Sequence, residues 1–373
     1  MTGSMYAAIA GLQTHMQKMN VIGNNIANAN TVGFKPGVTV FSESLYTAIN
    51  NSTAGGNQYG GTNAAQIGYG SQLGTIDLNM TTGSYQPTGV NSHLYLNGNG
   101  FFLTGPKPEN AAEYQENPND LELTRVGQFS LDNDGFLVDA NGHCVYGFMP
   151  KGDPTTGKLT DPIQWDGCLR PLRIPVAAPP QQNADGTMPA EGEAVYPTVG
   201  NGQGQGQVNN ALDYPDMGDD FDVNNRVDLQ GINLSVDSNG VIIGTTQGGE
   251  TVTVGAIAVG SVINPNGLTK QNNGYYRAGG NAGDVTVGTC GQIVNDGAGG
   301  NLYLNNAAAD AANAVAITGT GTTTIMSGGL ESSKTDVATE FADLITTQRG
   351  FQANTKIITV TDEMLSDLVN MKR

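Results

Sequence analysis

The sequence predicts a mixed fold. N- and C-terminal α-helices form a coiled-coil inner domain, the chain between them forms an all-β middle domain, and an all-β outer domain is inserted into the middle domain. Apolar residues recur at helical spacing near both ends of the chain. Between the ends, short segments alternate apolar and polar residues around Asn-Gly or Asp-Gly pairs, as β-hairpins do. The chain has 373 residues and 53 glycines, which fits two or three domains with many tight turns.

The first helix is predicted from Met5 to Ile26, where the apolar residues fall on one helix face. Gly23 and the asparagines after it are poor helix formers, so this helix is expected to depend on packing for its stability. The run ANANTVG at 27–33 predicts the helix end. The apolar face comprises Met5, Ile9, Leu12, Met16, Met19, Ile22 and Ile26.

The second helix is predicted from about 333 to 370 and gives the strongest periodic signal in the chain. Ser333 and Asp336 have capping-box spacing, which predicts the helix start. At about 1.5 Å per residue this helix is about 55 Å long, too long to be buried in a small domain. Its apolar residues are Val337, Phe341, Leu344, Phe351, Ile358, Leu365 and Leu368, with Ile345, Ile357, Val360 and Met364 widening the stripe.

The chain between the helices is predicted to be β-rich. SHLYLNGNGFFLT at 92–104 and FSLDNDGFLVDANG at 129–142 each predict a hairpin, and 234–244 repeats the pattern of the second. Residues 150–231 hold most of the prolines and a Gly/Gln run, which predicts an inserted domain with long loops. The predicted organisation is 1–41 and 329–373 as inner domain, 42–70 as linker or extended arm, 71–149 and 232–328 as middle domain, and 150–231 as outer domain.

Composition and motifs argue against several functions. The formal net charge of −18 would repel nucleic acid and anionic membranes, so neither is expected as a partner. No run of apolar residues is long enough to predict a membrane-spanning helix, and the N-terminus lacks the pattern of a cleaved signal peptide. The three cysteines have neither disulfide-framework nor zinc-site spacing, so no metal is expected; they are Cys144, Cys168 and Cys290.

An enzymatic function is not expected from this sequence. The histidines are His15, His93 and His143, and none has a neighbouring acid or nucleophile in a known catalytic arrangement. His15 lies on a polar position of the first helix. We therefore expect no catalytic residue, no metal site and no cofactor.

The two terminal helices each have an apolar face that needs a partner, and each can supply one for the other. One interpretation is an intramolecular helical hairpin that closes the domain. The marginal first helix and the polar linker after it favour another, in which the helices become ordered when neighbouring copies supply a groove.

Two terminal segments carry a family resemblance. MNVIGNNIANANTVGFK at 19–35 resembles the N-terminal signature of the flagellar axial proteins, the rod, hook and hook-associated subunits, and residues 328–373 resemble their C-terminal signature. LYLNGNGFFLT, TRVGQFSLDNDGFLVDANG and GSVINPNGLTKQNNGYYRAGG resemble the β core of hook and distal-rod members. The signature positions are Asn24, Asn25, Ala27, Asn28, Gly33, Phe34, Gln348, Arg349, Gln352 and Asn354.

The resemblance implies a structural subunit that polymerises with its own copies into a helical tube, with the terminal helices lining the channel. It implies unfolded export through the flagellar type III apparatus and assembly outside the cell under a hook cap, with distal-rod and hook–filament junction proteins as further partners. Chain length and the Asn-Pro-x-Gly-Leu stretch at 264–268 favour the hook branch, a flexible joint between rod and filament, over the distal-rod branch. An adhesin or surface-layer protein is the alternative from a different class.

Overall fold

The chain divides into two compact units, described here from a computed structural model. Unit 1 comprises Met1–Met80 and Ser333–Arg373, and unit 2 comprises Thr81–Ser332. Unit 1 holds both terminal helices and unit 2 is β-rich, so the mixed fold with helical ends and a β middle is confirmed. The structure describes residues 2–55, 60–107, 118–132, 136–148, 150–152, 159–165, 169–172, 235–245, 251–290, 318–319 and 323–371.

Both predicted helices of unit 1 are present. Helix α1 spans Thr2–Ala27 and helix α2 spans Val337–Met371. After α1 the chain turns through 28–33, where Gly33 has a positive φ of 67°. That left-handed conformation suits glycine, as the sequence indicated for this helix end.

The start of α2 differs from its prediction. Asp336 caps the helix: its Oδ1 accepts a hydrogen bond from the Ala338 N–H (3.1 Å) and its Oδ2 accepts one from the Thr339 hydroxyl (2.7 Å). The hydroxyl of Ser333 instead accepts from the Thr335 N–H at 3.3 Å. The predicted capping role of Ser333 is therefore wrong, because an aspartate stands nearer to the first turn. The bond from Thr339 lowers the pKa of Asp336.

Four strands complete unit 1. Strands β1 (Gly37–Glu43) and β4 (Ser71–Leu78) pair antiparallel, and β2 (Tyr46–Asn50) pairs antiparallel with β3 (Ala65–Gly68). Every side chain of β2 is exposed. The segment predicted as a linker or extended arm thus contains a β-ribbon with little core of its own.

Unit 2 contains nineteen described strands. They are β5 (Tyr85–Pro87), β6 (Leu94–Asn97), β7 (Phe101–Gly105), β8 (Glu122–Thr124), β9 (Phe129–Leu131), β10 (Leu137–Asp139), β11 (Cys144–Phe148), β12 (Pro150–Gly152), β13 (Leu159–Trp165), β14 (Arg170–Pro171), β15 (Ser235–Val236), β16 (Val241–Thr245), β17 (Thr251–Ser261), β18 (Leu268–Lys270), β19 (Tyr275–Ala278), β20 (Thr286–Thr289), β21 (Thr318–Gly319), β22 (Thr324–Ser327) and β23 (Gly329–Glu331). Thirteen of them, β7–β11 and β14–β21, form one large sheet that is antiparallel except where β20 meets β21. Its central strand is β17, which pairs with β16, β11, β7 and β20.

Two of the predicted hairpins are confirmed and one is wrong. Strands β9 and β10 pair antiparallel, as do β15 and β16. The segment 92–104 does not form a hairpin, because β6 pairs with β22 while β7 pairs with β8, β11 and β17. Gly98 and Gly100, with φ of 124° and 131°, redirect the chain between the two sheets. Both strands are buried, so each needs partners from distant parts of the chain.

The predicted insertion at 150–231 lies mostly outside the described residues. Strands β12 and β13 pair antiparallel within it. Strand β14 pairs with β11 in the large sheet, and the flanking Leu169 and Leu172 are fully buried. These residues thus belong to the core of unit 2 although the sequence boundary placed them in the insertion. The outer domain itself stays a prediction.

A buried ion pair joins the residue after β8 to the last strand of unit 2. Arg125 Nη1 lies 3.4 Å from Glu331 Oε2, and the two side chains are 3% and 1% exposed. Glu331 Oε1 accepts the Gly83 N–H at 2.6 Å, and Arg125 also donates to the carbonyl oxygens of Leu96 and Gly98. Burial lowers the pKa of Arg125 and the Glu331 carboxylate opposes that shift. Because β23 pairs with β5, this network closes the unit where the chain enters and leaves it.

Candidate assembly surface

The two terminal helices pack antiparallel within one chain. Asn25 near the end of α1 donates to Glu340 near the start of α2 at 2.9 Å, and Lys18 Nζ lies 3.8 Å from Asp343 Oδ2. Farther along, Gly11 packs against Asn354. The partners advance along α2 as they recede along α1, which fixes the direction and register of the pair.

Helix α2 faces α1 along a seam of alternating polar and apolar residues. Its buried and half-buried positions follow the three-four spacing of a coiled-coil seam. The apolar half of the seam confers stability, whereas polar residues at such positions specify register at a cost in stability. The seam residues are Glu340, Leu344, Thr347, Phe351, Asn354, Ile358 and Thr361.

Two glycines let side chains of the opposite helix approach the backbone. A Cβ on Gly11 would lie 2.4 Å from Asn354 Nδ2, and a Cβ on Gly350 would lie 2.7 Å from His15 Cε1. The missing Cβ of Gly11 therefore leaves space for the Asn354 side chain, and that of Gly350 leaves space for the His15 side chain. His15 is half-buried here, with its ring edge-on to Phe41 at 6.2 Å, so its predicted place on a polar position is wrong.

Asn25 joins three elements of unit 1. Its side chain is 2% exposed. Its Nδ2 donates to the Gly37 carbonyl (2.9 Å) as well as to Glu340, and its Oδ1 accepts the Gly37 N–H (3.1 Å). The amide thus holds the C-terminal turn of α1, the start of β1 and the first turn of α2 together.

The seam leaves many large apolar side chains of the helices exposed. Phe341 is 51% exposed and Ile345 is 56% exposed, whereas the fully buried residues of α2 are threonines. Contiguous exposed apolar area of this kind marks an interaction surface rather than a free surface. The exposed apolar residues are Tyr6, Ile9 and Met16 on α1 and Val337, Phe341, Ile345, Ile357, Val360, Met364, Leu365, Leu368, Val369 and Met371 on α2.

The residues predicted for assembly fall into two sets. One set packs within the chain: Ile22 is buried, and Met5, Leu12, Met19, Ile26, Leu344, Phe351 and Ile358 are half-buried. The other is exposed: Ile9, Met16, Val337, Phe341, Leu365 and Leu368. The structure therefore gives the two sets different neighbours, and the exposed set is the one available to a second molecule.

The signature positions divide in the same way. Asn25, Gly33 and Phe34 are buried, and Asn28 and Asn354 are half-buried. Asn28 donates to Asn24 Oδ1 at 3.1 Å and accepts from Thr31, which holds the turn after α1. Exposed signature residues are Asn24, Ala27, Gln348, Arg349 and Gln352.

Sequence reasoning missed the polar half of the seam. Glu340, Thr347 and Thr361 lie on the same period of seven as Asn354, which was noted as a signature residue. That shared period was the available signal. Apolar periodicity alone cannot reveal these positions, because their side chains are polar.

One histidine has acidic neighbours that the sequence did not reveal. His143 Nδ1 lies 3.1 Å from Glu122 Oε2, and the ring stacks on Tyr275 at 5.0 Å. The hydroxyl of Tyr275 donates to Asp139, and burial raises the pKa of Tyr275. A tyrosine held as a donor is a poor nucleophile, so this cluster stabilises the β10–β11 turn. Within the described ranges, no group of three or more candidate ligands could hold a metal ion.

Acidification is expected to strengthen the helix pair through Glu340. Burial raises the pKa of Glu340, opposed by the hydrogen bond from Asn25. The folded state therefore binds a proton more tightly than the unfolded state, and the stability contributed by Glu340 falls as pH rises through the interval above its ordinary value of 4.5. Urea unfolding of the full chain between pH 4.5 and 7 should show this loss.

Glu340→Gln is the matched variant for that measurement. Glutamine can still accept from Asn25 but does not titrate, so the variant should be more stable than the parent at pH 7 and lose this part of the pH dependence. An unchanged pH profile in the variant would show that Glu340 is not responsible.

None of the described helices is long and apolar enough to cross a membrane.

Two family models match the chain at its ends. Residues 5–35 match the flagella basal body rod protein family, and residues 326–371 match the C-terminal model of the flagellar basal body rod FlgEFG proteins. These ranges contain nearly all of α1 and all of α2.

Full-length similarity extends to several flagellar proteins. The chain is 30% identical to the flagellar basal-body rod protein FlgG of Bacillus subtilis over 373 aligned positions, covering all of both chains. It is 28% identical to the flagellar hook protein FlgE of Borreliella burgdorferi over 482 aligned positions, and 26% identical to that of Treponema pallidum over 504, again covering all of both chains.

Proposed function

Because the chain belongs to the family of flagellar basal-body rod and hook proteins, we propose that it is a structural subunit of the bacterial flagellar hook. Subunits polymerise through their terminal helices into a flexible tube between the basal-body rod and the filament. The observation that carries this proposal is the apolar surface of α2 that stays exposed, since the intramolecular contact uses only the seam of alternating polar and apolar residues. Family membership leaves no basis for the adhesin or surface-layer alternative.

The helix pair forms the coiled-coil inner domain of the tube and lines its channel. Its exposed apolar residues are the ones that contact neighbouring copies. The many Gly, Asn, Thr and Gln residues between the two terminal helices support this assignment, because an interface that slides when the tube bends has to be polar and wet.

The role is mechanical, and no catalytic step is assigned to any residue. The partners are other copies of this chain, the hook cap, the distal rod, the hook–filament junction proteins and the flagellar type III export apparatus. The protein acts outside the cell, after export through that apparatus. A formal net charge of −18 supports the absence of nucleic acid from this list.

A distal-rod subunit is the second candidate function. The alignment with the rod protein has the same number of positions as this chain has residues, whereas the alignments with the two hook proteins are longer than the chain. Those hook proteins therefore contain segments that this chain lacks. The 30% identity to a rod protein over the whole length favours the rod in the same way.

Electron microscopy of a strain with the gene deleted separates the two candidates. Basal bodies with complete rods but no hooks are expected, and expression of the full chain should restore the hooks. Basal bodies that end before the distal rod would instead assign the chain to the rod. Normal flagella in the deletion strain would contradict both.

A further inference from the structure

Eight of the exposed apolar residues of α2 form two separate patches, while Leu365 and Val369 lie on the side of the seam, beyond its last residue Thr361. Patch A occupies the first turns of the helix and consists of Val337, Phe341 and Ile345. Patch B occupies the last turns and consists of Ile357, Val360, Met364, Leu368 and Met371. At about 100° per residue, the centres of the two patches lie about 140° apart around the helix axis. They cannot both face one flat partner.

Helix α1 covers neither patch. The seam from Glu340 to Thr361, whose residues are buried or half-buried, is centred on a third side of α2, about 110° from each patch. The seam and the two patches thus point in three different directions. One direction is used inside the chain, and two are left for other molecules.

The rims of the patches carry opposite charges. Arg349 follows Ile345 by one turn at the edge of patch A, and Asp367 precedes Leu368 at the edge of patch B. Both side chains are exposed. In an antiparallel or staggered contact between the patches, a cation and a carboxylate can meet at the rim, where such pairs select a partner.

Building on the proposed function, we propose that patch A of one subunit binds patch B of the next copy, with Arg349 of the first facing Asp367 of the second. The contact joins two different surfaces of identical chains, so it is heterologous and propagates without closing into a dimer. Apolar burial supplies the attraction and the charge pair sets the register. The second copy is the occupant favoured by this complementarity, since both halves of the contact lie on one helix.

Charge reversal in the full-length chain tests the pairing. Arg349→Glu and Asp367→Lys should each raise the critical concentration for polymerisation by about tenfold or more, because each places like charges together. The double variant restores opposite charges and should polymerise at close to the parental concentration. Sedimentation of the polymer with electron microscopy of the pellet measures both. A double variant as impaired as the single ones would overturn the pairing.

Lys356 provides the matched control. It is an exposed cation on α2 that lies between the two patches. Lys356→Glu should leave the critical concentration near the parental value, and Lys356→Glu should not rescue Asp367→Lys. Rescue by Lys356→Glu would mean that net charge, not the Arg349–Asp367 pair, controls assembly, and would overturn the proposal.

Cysteine cross-linking separates this proposal from the function on which it rests. Phe341→Cys and Leu368→Cys chains are mixed, polymerised and oxidised, and a disulfide between the two variant positions is expected, identified by mass spectrometry. The parental chain, in which Cys144 and Cys290 are buried, gives the background. Tubes without this cross-link would overturn the patch contact and leave the proposed function standing. Failure of the parental chain to form tubes would contradict both.

Discussion

Replacing Glu331 by glutamine is expected to lower the free energy of unfolding of unit 2 by about 3–5 kcal/mol, because it leaves the buried guanidinium of Arg125 without a counter-charge. Burial already lowers the pKa of Arg125, so the cation depends on its partner. The bond that Glu331 accepts from Gly83 is weakened at the same time. Urea unfolding of the full chain, followed by circular dichroism, measures the change.

The surface ion pair Lys107–Asp132 gives the control. Its side chains are 41% and 45% exposed and the charges are 3.9 Å apart. Asp132→Asn should cost less than about 1 kcal/mol, since exposed pairs are screened by solvent. If Glu331→Gln were as mild as Asp132→Asn, the pair would not be what closes unit 2.

Replacing Asn25 by leucine is expected to destabilise unit 1 by about 2–4 kcal/mol, since the N–H and C=O of Gly37 each lose their partner. Leucine has the same branching at Cγ as asparagine but is larger and cannot form hydrogen bonds to Gly37 or Glu340. The helix pair and the start of β1 should therefore separate together. Thermal unfolding, followed by the circular dichroism signal of the helices, measures this loss of stability.

Asn20 serves as the matched asparagine because it is exposed on the same helix. Asn20→Ala should change stability by no more than about 0.5 kcal/mol, as surface substitutions usually do. A small effect of Asn25→Leu, similar to that of Asn20→Ala, would mean that the junction is held by other contacts.

The sequence predicted the bounds of the two helices more accurately than the residues through which they contact each other. Periodicity placed both helices to within a few residues, because apolar spacing is a local property of the chain. The cap at Asp336 was assigned to Ser333, since the two residues have similar capping propensity and which one folds into the first turn depends on the backbone. The polar positions of the seam, such as Glu340 and Thr347, were not predicted because apolar periodicity does not mark polar residues.

The β unit shows a different limit. Local turn chemistry predicted the β9–β10 and β15–β16 hairpins correctly, since their pairing is set by adjacent residues. The same chemistry gave a wrong pairing for β6 and β7, where buried strands pair with distant parts of the chain. The Arg125–Glu331 pair joins residues far apart in sequence, so no local pattern could reveal it.

Exposed apolar residues of α2, and not the seam, are proposed to carry assembly. Polymerisation of purified full-length Phe341→Asp, followed by sedimentation and electron microscopy, tests this most directly. Phe341 is half exposed, so the variant should keep the parental circular dichroism and unfolding temperature while forming no tubes at concentrations where the parental chain does. Normal tubes from a correctly folded Phe341→Asp chain would contradict the claim.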